Sequence, residues 1–296
     1  MSPRRGASNG NGESHAGGFA GFLRSLLAGV PWSERAEGED VLHLERPAGG
    51  AFRLHNANGR TRICGEDRDD IEVHAAKLAR AESTEAAKRL LEQIRVVYAE
   101  VGDTLELDVE VPRKWNRRGH ANLVVKVPRH LNVEVSAANG RIQIEGVRGS
   151  VRARSSNGSA TINDVVGDIE VATSNAKVTC SCTCGRLFAR SSNGKIELNQ
   201  HRGSIDASTS NGLIRACLED VGKGGVQLCT SNGRIALELP PEVDADVDIR
   251  VDNGVIRNDR TLSSHVREGN GRVRGRLGAG GALIKLRTSN GSISLR

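Results

Sequence analysis

The sequence predicts an all-β fold, a single-stranded right-handed β-solenoid with coils of 18–21 residues, one interposed helix and a short N-terminal helix. Three observations predict it. Asn recurs at Asn139, Asn157, Asn175, Asn193 and Asn211 in steps of 18 residues, then at Asn232 and Asn253 in steps of 21. All but Asn175 precede Gly, and Gly149, Gly167, Gly185 and Gly203 mark the intervals with the same period. Apolar and polar residues alternate between these markers. A fixed short period denotes a repeat architecture, and alternation with period two denotes half-buried strands.

The third and fifth residues after each Asn form two apolar columns, Ile142 to Ile256 and Ile144 to Leu237. Two more precede it, such as Val133/Val135, Val151/Ala153 and Ile169/Val171. Each repeat therefore holds two short strands and two corners, and Asn-Gly corners tolerate positive backbone dihedrals. An antiparallel meander and a parallel solenoid both place these columns on one side. The recurrence of Ser/Thr-Ser-Asn at 155–157, 173–175, 191–193, 209–211, 230–232 and 288–290 favours the solenoid, because identical residues stacked about 4.8 Å apart can bond in ladders. The right hand follows from the handedness of parallel crossovers.

Along the chain, residues 1–18 read as a disordered, Gly-rich tail, and residues 19–40 as a short amphipathic helix with a linker over 33–40. The solenoid domain spans 41–296. It opens with an outlying coil around Asn58-Gly59, a strand at Ile71 and Val73, and a helix over about 84–94 capped by Ser83 or Thr84. A hairpin turns at Gly102-Asp103. The basic loop Arg113, Lys114, Trp115, Arg117 and Arg118 could meet an anionic partner, although a solvated loop explains it as well. Regular coils cover 131–256, a loop-rich excursion 257–281 and a closing half-coil 282–296.

Two Trp, one Tyr, four Phe and one Met leave packing to aliphatic side chains and count against base stacking on single-stranded nucleic acid. The net charge of +6 is spread among interspersed acids. A mixed, solvated surface accounts for it, and attraction to a protein or anionic surface is the functional alternative. No apolar run is long enough for a membrane span, and no signal peptide is recognised. Six Cys without a secretion signal point to reduced thiols and a cytoplasmic setting.

The NG-x-I-x-I and G-x-I-x-A-x-TSNG phrases, with the interposed helix before them, resemble the bacterial adhesin-type β-strand-repeat family of unknown function, related to toastrack-type domains. The resemblance covers about residues 40–296. It implies a β-solenoid, often in envelope-associated or stress-response settings, and no activity.

Chemistry is sparse. Cys180 falls in a buried column, whereas Cys182 and Cys184 lie near a corner that neighbouring coils flank with Asp164 and His201. Zinc held by Cys182, Cys184, His201 and Asp164 is one reading, and structural cysteines without a cofactor the other. Outward Glu170, Asp206 and Gln227 form no repeating carboxylate stack, and no nucleophile elbow, zinc-protease helix or phosphate loop is present. The expectation is a non-enzymatic binding or scaffold module. A glycan-active β-helix enzyme and a self-assembling structural protein are the alternatives.

Overall fold

The computed structural model describes residues 34–112, 118–268 and 271–296. The expected tail, the helix at 19–30 and all of the basic loop except Arg118 lie outside them. The first elements are β1 (Glu34–Glu45), β2 (Ala51–Asn56), β3 (Thr61–Glu66), β4 (Asp70–Ala81), the helix α1 (Thr84–Gln93), β5 (Arg95–Val101), β6 (Thr104–Glu110) and β7 (Gly119–Pro128). The regular coils follow as β8 (Asn132–Ala137), β9 (Ile142–Glu145), β10 (Val151–Ser155), β11 (Ala160–Val166), β12 (Ile169–Thr173), β13 (Val178–Ser191), β14 (Ile196–Asn211) and β15 (Ile214–Glu238). The chain closes with β16 (Ala245–Asn258), β17 (Ser263–Glu268), β18 (Arg272–Leu277) and β19 (Ala282–Leu295).

Equivalent residues one period apart lie side by side and run the same way. In one ladder Val133 pairs with Val151, then Ile169, Leu187 and Ile205, all parallel. In the other, Ile142 pairs with Ala160, then Val178, Ile196 and Ile214. The regular coils are thus a parallel solenoid and not a meander. The inward residues of both ladders merge in one apolar core.

Each position of the Ser/Thr-Ser-Asn-Gly phrase has its own task. The first hydroxyl turns inward and donates to the corner carbonyl of the preceding coil, as Thr173 does to Gly158 (3.3 Å) and Thr209 to Gly194 (3.2 Å). The Ser points outward. The Asn side chain donates in the same direction, to the Asn of the adjacent coil, at 2.9–3.1 Å in an unbroken row from Asn253 through Asn290, Asn232, Asn211, Asn193, Asn175, Asn157 and Asn139 to Asn58. Gly is needed for close approach: a Cβ on Gly158 would stand 1.7 Å from the Gly140 carbonyl oxygen. Positive φ, the expected reason, applies at Gly59, Gly254 and Gly291 of the same corner but not at Gly158 and its neighbours in the regular coils, and it recurs at the opposite corner, as at Gly185 (φ 129°).

The order of coils departs from the order of the sequence at both ends. β2 lies between β6 and β8, and β3 between β7 and β9. β19 inserts between β15 and β16, so the step from Asn232 to Asn253 is not a stacking step and residues 282–296 are not a terminal half-coil. The hydroxyl position gives a physical reason. Thr288 donates to the Gly233 carbonyl (3.4 Å), whereas β16 carries Val251 there and has no hydroxyl to offer.

Antiparallel strands finish the stack. Of the expected linker over 33–40, residues 34–40 belong to β1, which pairs with β4 along its whole length, and α1 packs against both. Only Ala36 and Leu44 of β1 are fully buried, so its apolar signal is thin. The helix starts where the Ser83 hydroxyl accepts from the Ala86 amide, and Ala87 and Leu90 bury its inner face. The expected excursion over 257–281 contains the hairpin β17–β18, with β18 antiparallel to β16. Arg272 and Arg276 tie it to Asp248 (3.0 Å) and Asp246 (3.2 Å).

Position in the Asn row sets a graded test. Asn193→Ala removes two side-chain bonds and should cost about 1–3 kcal/mol, while Asn253→Ala removes the single bond to Asn290 and should cost about half as much. Urea melts with unchanged slope would measure both; equal costs would refute the row as a chain of pairwise bonds.

Candidate functional site

The outer face of the first ladder carries two grooves. Residues at even spacing along a strand share a face, so parallel register turns each outward position into a row across the coils. One row runs Glu106, Arg53, Glu134, Arg152, Glu170 and Phe188. The signs alternate and the neighbours pair. Arg53 bonds Glu106 and also Glu134 (3.3 Å), while Arg152 and Arg154 both hold Glu170 at 2.8 Å. Arg53, Glu134, Arg152 and Glu170 line a groove of about 590 Å³ with Asn132, Ser150 and Phe188. The Arg154 guanidinium first, and then that of Arg152, keeps the Glu170 carboxyl below the usual carboxylate range. Glu134 and Glu170 are two strand spacings apart, roughly 9–10 Å, with Arg152 between them.

The second groove, about 710 Å³, crosses β12, β13, β14, β15, β19 and β16. It is walled by hydroxyls, among them Ser192, Ser208, Ser210, Ser231 and Ser289, and by Arg190, Arg250 and Arg287 against one carboxylate, Asp252. Arg250 bonds Asp252 at 3.1 Å. Arg190 and Arg287 form no salt bridge among the described residues, although Arg287 contributes, after Arg272 and Arg274, to keeping the Asp248 carboxyl below the usual carboxylate range. The Arg190 guanidinium lies 4.3 Å over the Phe188 ring, which joins the two grooves and fixes the cation by stacking. Cys229 also lines the second groove, and burial pushes its thiol up.

The residues considered for zinc do not converge. Asp164, Cys182 and Gln200 stack at a corner with positive φ of 49°, 52° and 52°. Asp164 is held by Arg148 (2.8 Å), and the exposed Cys182 thiol donates to Gln200 (3.2 Å). His201 points the other way, into the core, where its Nδ1 meets the buried Thr183 hydroxyl at 2.9 Å. Cys184 is exposed and pairs in register with Arg202. Among the described residues no three His, Cys, Asp or Glu side chains gather as metal ligands. The alternation of faces along the strand is the reason: Cys182 and Cys184 face out where Thr183 and His201 face in. Arg118 of the basic loop bonds Glu82 at 3.5 Å.

Sequence reasoning placed Glu170 and Asp206 outward but missed the second groove. The signal was present in part: Arg190 and Ser192 stand two residues apart, as do Arg287 and Ser289. Nothing in the spacing announced that the last two would lie between β15 and β16. No helix among the described residues is long and apolar enough to cross a membrane.

A family model described as Toastrack DUF4097 matches residues 54–296. No match to the chain was found among curated proteins. Among solved structures, the chain is similar to a candidate cell adhesion protein from Clostridium sporogenes ATCC 15579, with 10% identity over 88% of this chain and 99% of that one and a TM-score of 0.30. It is similar to a candidate adhesin from Bacteroides fragilis NCTC 9343, with 12% identity, coverage of 90% and 99%, and a TM-score of 0.31. A candidate lipid binding protein from Parabacteroides distasonis ATCC 8503 shares 12% identity, with coverage of 88% and 97% and a TM-score of 0.35.

Two outcomes test the local chemistry. Burial holds the His201 imidazole below its ordinary value near 6.5, and its Nε2 has no hydrogen-bond partner among the described residues. The unfolded chain therefore takes up a proton below about pH 6.5 that the folded chain refuses, so this contribution is whole above that pH and is lost as pH falls toward the folded value. Melting midpoints between about pH 7.5 and about pH 5.5 should fall more in the wild type than in His201→Leu; parallel slopes would refute the assignment. In native protein, maleimide should label Cys182 and Cys184 and spare Cys180, which is buried with its thiol pushed up to about 12. Peptide mass mapping reads the order, and early labelling of Cys180 would contradict it.

Proposed function

Since the chain belongs to the Toastrack DUF4097 family, whose description names a fold and no reaction, we propose that it is a non-enzymatic β-solenoid binding module, adhesin-like in acting through its outer face. The observation that carries this reading is the pairing of the outward carboxylates. Hydrolysis of a glycosidic bond needs one carboxyl with a raised pKa as general acid beside a second, ionised one. Glu170 is held below the usual carboxylate range by Arg154 and Arg152, and Glu134 bonds Arg53, so both Glu side chains of this groove are engaged by guanidiniums. The stacked coils present this face on a bonded frame, which limits the ordering cost of recognition.

The competing reading, a glycan-active enzyme, makes a different prediction. A panel of neutral and acidic polysaccharides incubated with the full chain should show retention on at least one polymer with no release of reducing ends. Release of reducing ends that disappears in Glu170→Gln would replace the binding module with the enzyme.

A further inference from the structure

The second groove favours one class of ligand. It crosses six adjacent strand segments, so it extends over about five strand spacings, roughly 24 Å, and suits a linear polymer better than a small ion. Its walls combine two features at regular spacing. The hydroxyls of Ser192, Ser210, Ser231 and Ser289 repeat along it from coil to coil, and each can both donate and accept. Beside them stand Arg190 and Arg287, neither in a salt bridge among the described residues, and Arg190 is held in place on the Phe188 ring. A guanidinium binds a carboxylate through two parallel hydrogen bonds, which fixes its plane as well as its charge.

We propose that this groove binds an acidic polysaccharide, a chain whose units each carry a carboxylate and several hydroxyls. The proposal rests on the binding-module reading and names its ligand. The carboxylates would meet Arg190 and Arg287, and the sugar hydroxyls would exchange hydrogen bonds with the Ser rows. Other polyanions fit less well. A densely charged phosphate polymer would face Asp252 inside the groove and Asp206, two residues before Ser208 on β14. Single-stranded nucleic acid needs free aromatic faces, and the face of Phe188 is covered by Arg190. A bilayer needs apolar side chains to insert, and Ser, Thr and Arg dominate this lining.

Arg287 and Ser289 belong to β19, and they reach the groove only because β19 is inserted between β15 and β16. Register then sets Arg287 between Cys229 on one side and Arg250 on the other. The insertion that joins the end of the chain to the stack therefore also assembles the cationic row.

The test is affinity electrophoresis of the full chain through gels containing polygalacturonate, neutral dextran or polyphosphate. Polygalacturonate should retard the wild type, dextran should not, and added salt should weaken the retardation. The double variant Arg190→Gln/Arg287→Gln should bind about tenfold more weakly or worse, while Arg215→Gln on the other ladder should bind as the wild type. Ser210→Ala/Ser231→Ala should weaken polygalacturonate binding and leave any polyphosphate binding unchanged. These four Arg and Ser side chains are outward, and unchanged melting midpoints would establish that the variants fold. Retardation unaffected by the Arg pair would overturn the site. Polyphosphate binding as tight as polygalacturonate, with no effect of the Ser pair, would reduce it to a general cationic patch and overturn the ligand. If polygalacturonate fails while another polymer is retained intact, the ligand assignment falls and the module stands; cleaved polymer would bring down the module itself.

Discussion

Like must stack on like in this chain, because each polar phrase is satisfied by its own image one coil away. The Asn side chains donate along one direction from Asn253 to Asn58, so a coil displaced by one residue would break the row in two places and turn its apolar columns outward. Each such bond contributes only about 1 kcal/mol net, and the buried aliphatic columns supply the larger driving force. The polar row decides which register the apolar columns adopt. Bonds aligned head to tail also polarise one another, which favours a complete row over a partial one.

The same register produces the outer surface. Once equivalent residues lie about one strand spacing apart, every outward position becomes a row, and the chemistry of the surface is set by what successive repeats place there. Toward β6, acids and bases alternate and neutralise one another. From β13 onward Phe188 stands in the row that Glu170 occupies one strand earlier, and Arg190 stacks on it. The face thus changes from paired charge to a hydroxyl-lined groove with available guanidiniums within a few coils, on an uninterrupted backbone.

The stack avoids open ends by two devices. Its first coil and its last segment are each inserted between others, and antiparallel strands continue the ladders beyond them. Insertion gives β2 and β19 two parallel neighbours where a terminal coil would have one. Unpaired strand edges invite association with other chains, so moving the edge onto hairpins and antiparallel strands rich in ion pairs also protects the repeat.

The sequence by itself determined the local content of the fold. The 18-residue period, the alternating columns and the Asn-Gly corners specify strands, corners and parallel register, because each is a short-range pattern that survives in a linear text. Ser83, one of the two caps expected, marked the start of α1 for the same reason, and Cys180 was rightly placed in the core. What only tertiary structure decided was adjacency over long separations. The zinc reading paired residues by neighbouring coil without the opposite facing of Cys182 and His201, and the strand in 34–45 was missed because few of its side chains are buried. Above all, β19 finds its place between β15 and β16, where Thr288 can bond the Gly233 carbonyl and Val251 could not. A repeat leaves many equivalent slots, and the choice among them is made by hydrogen bonds between segments that lie dozens of residues apart.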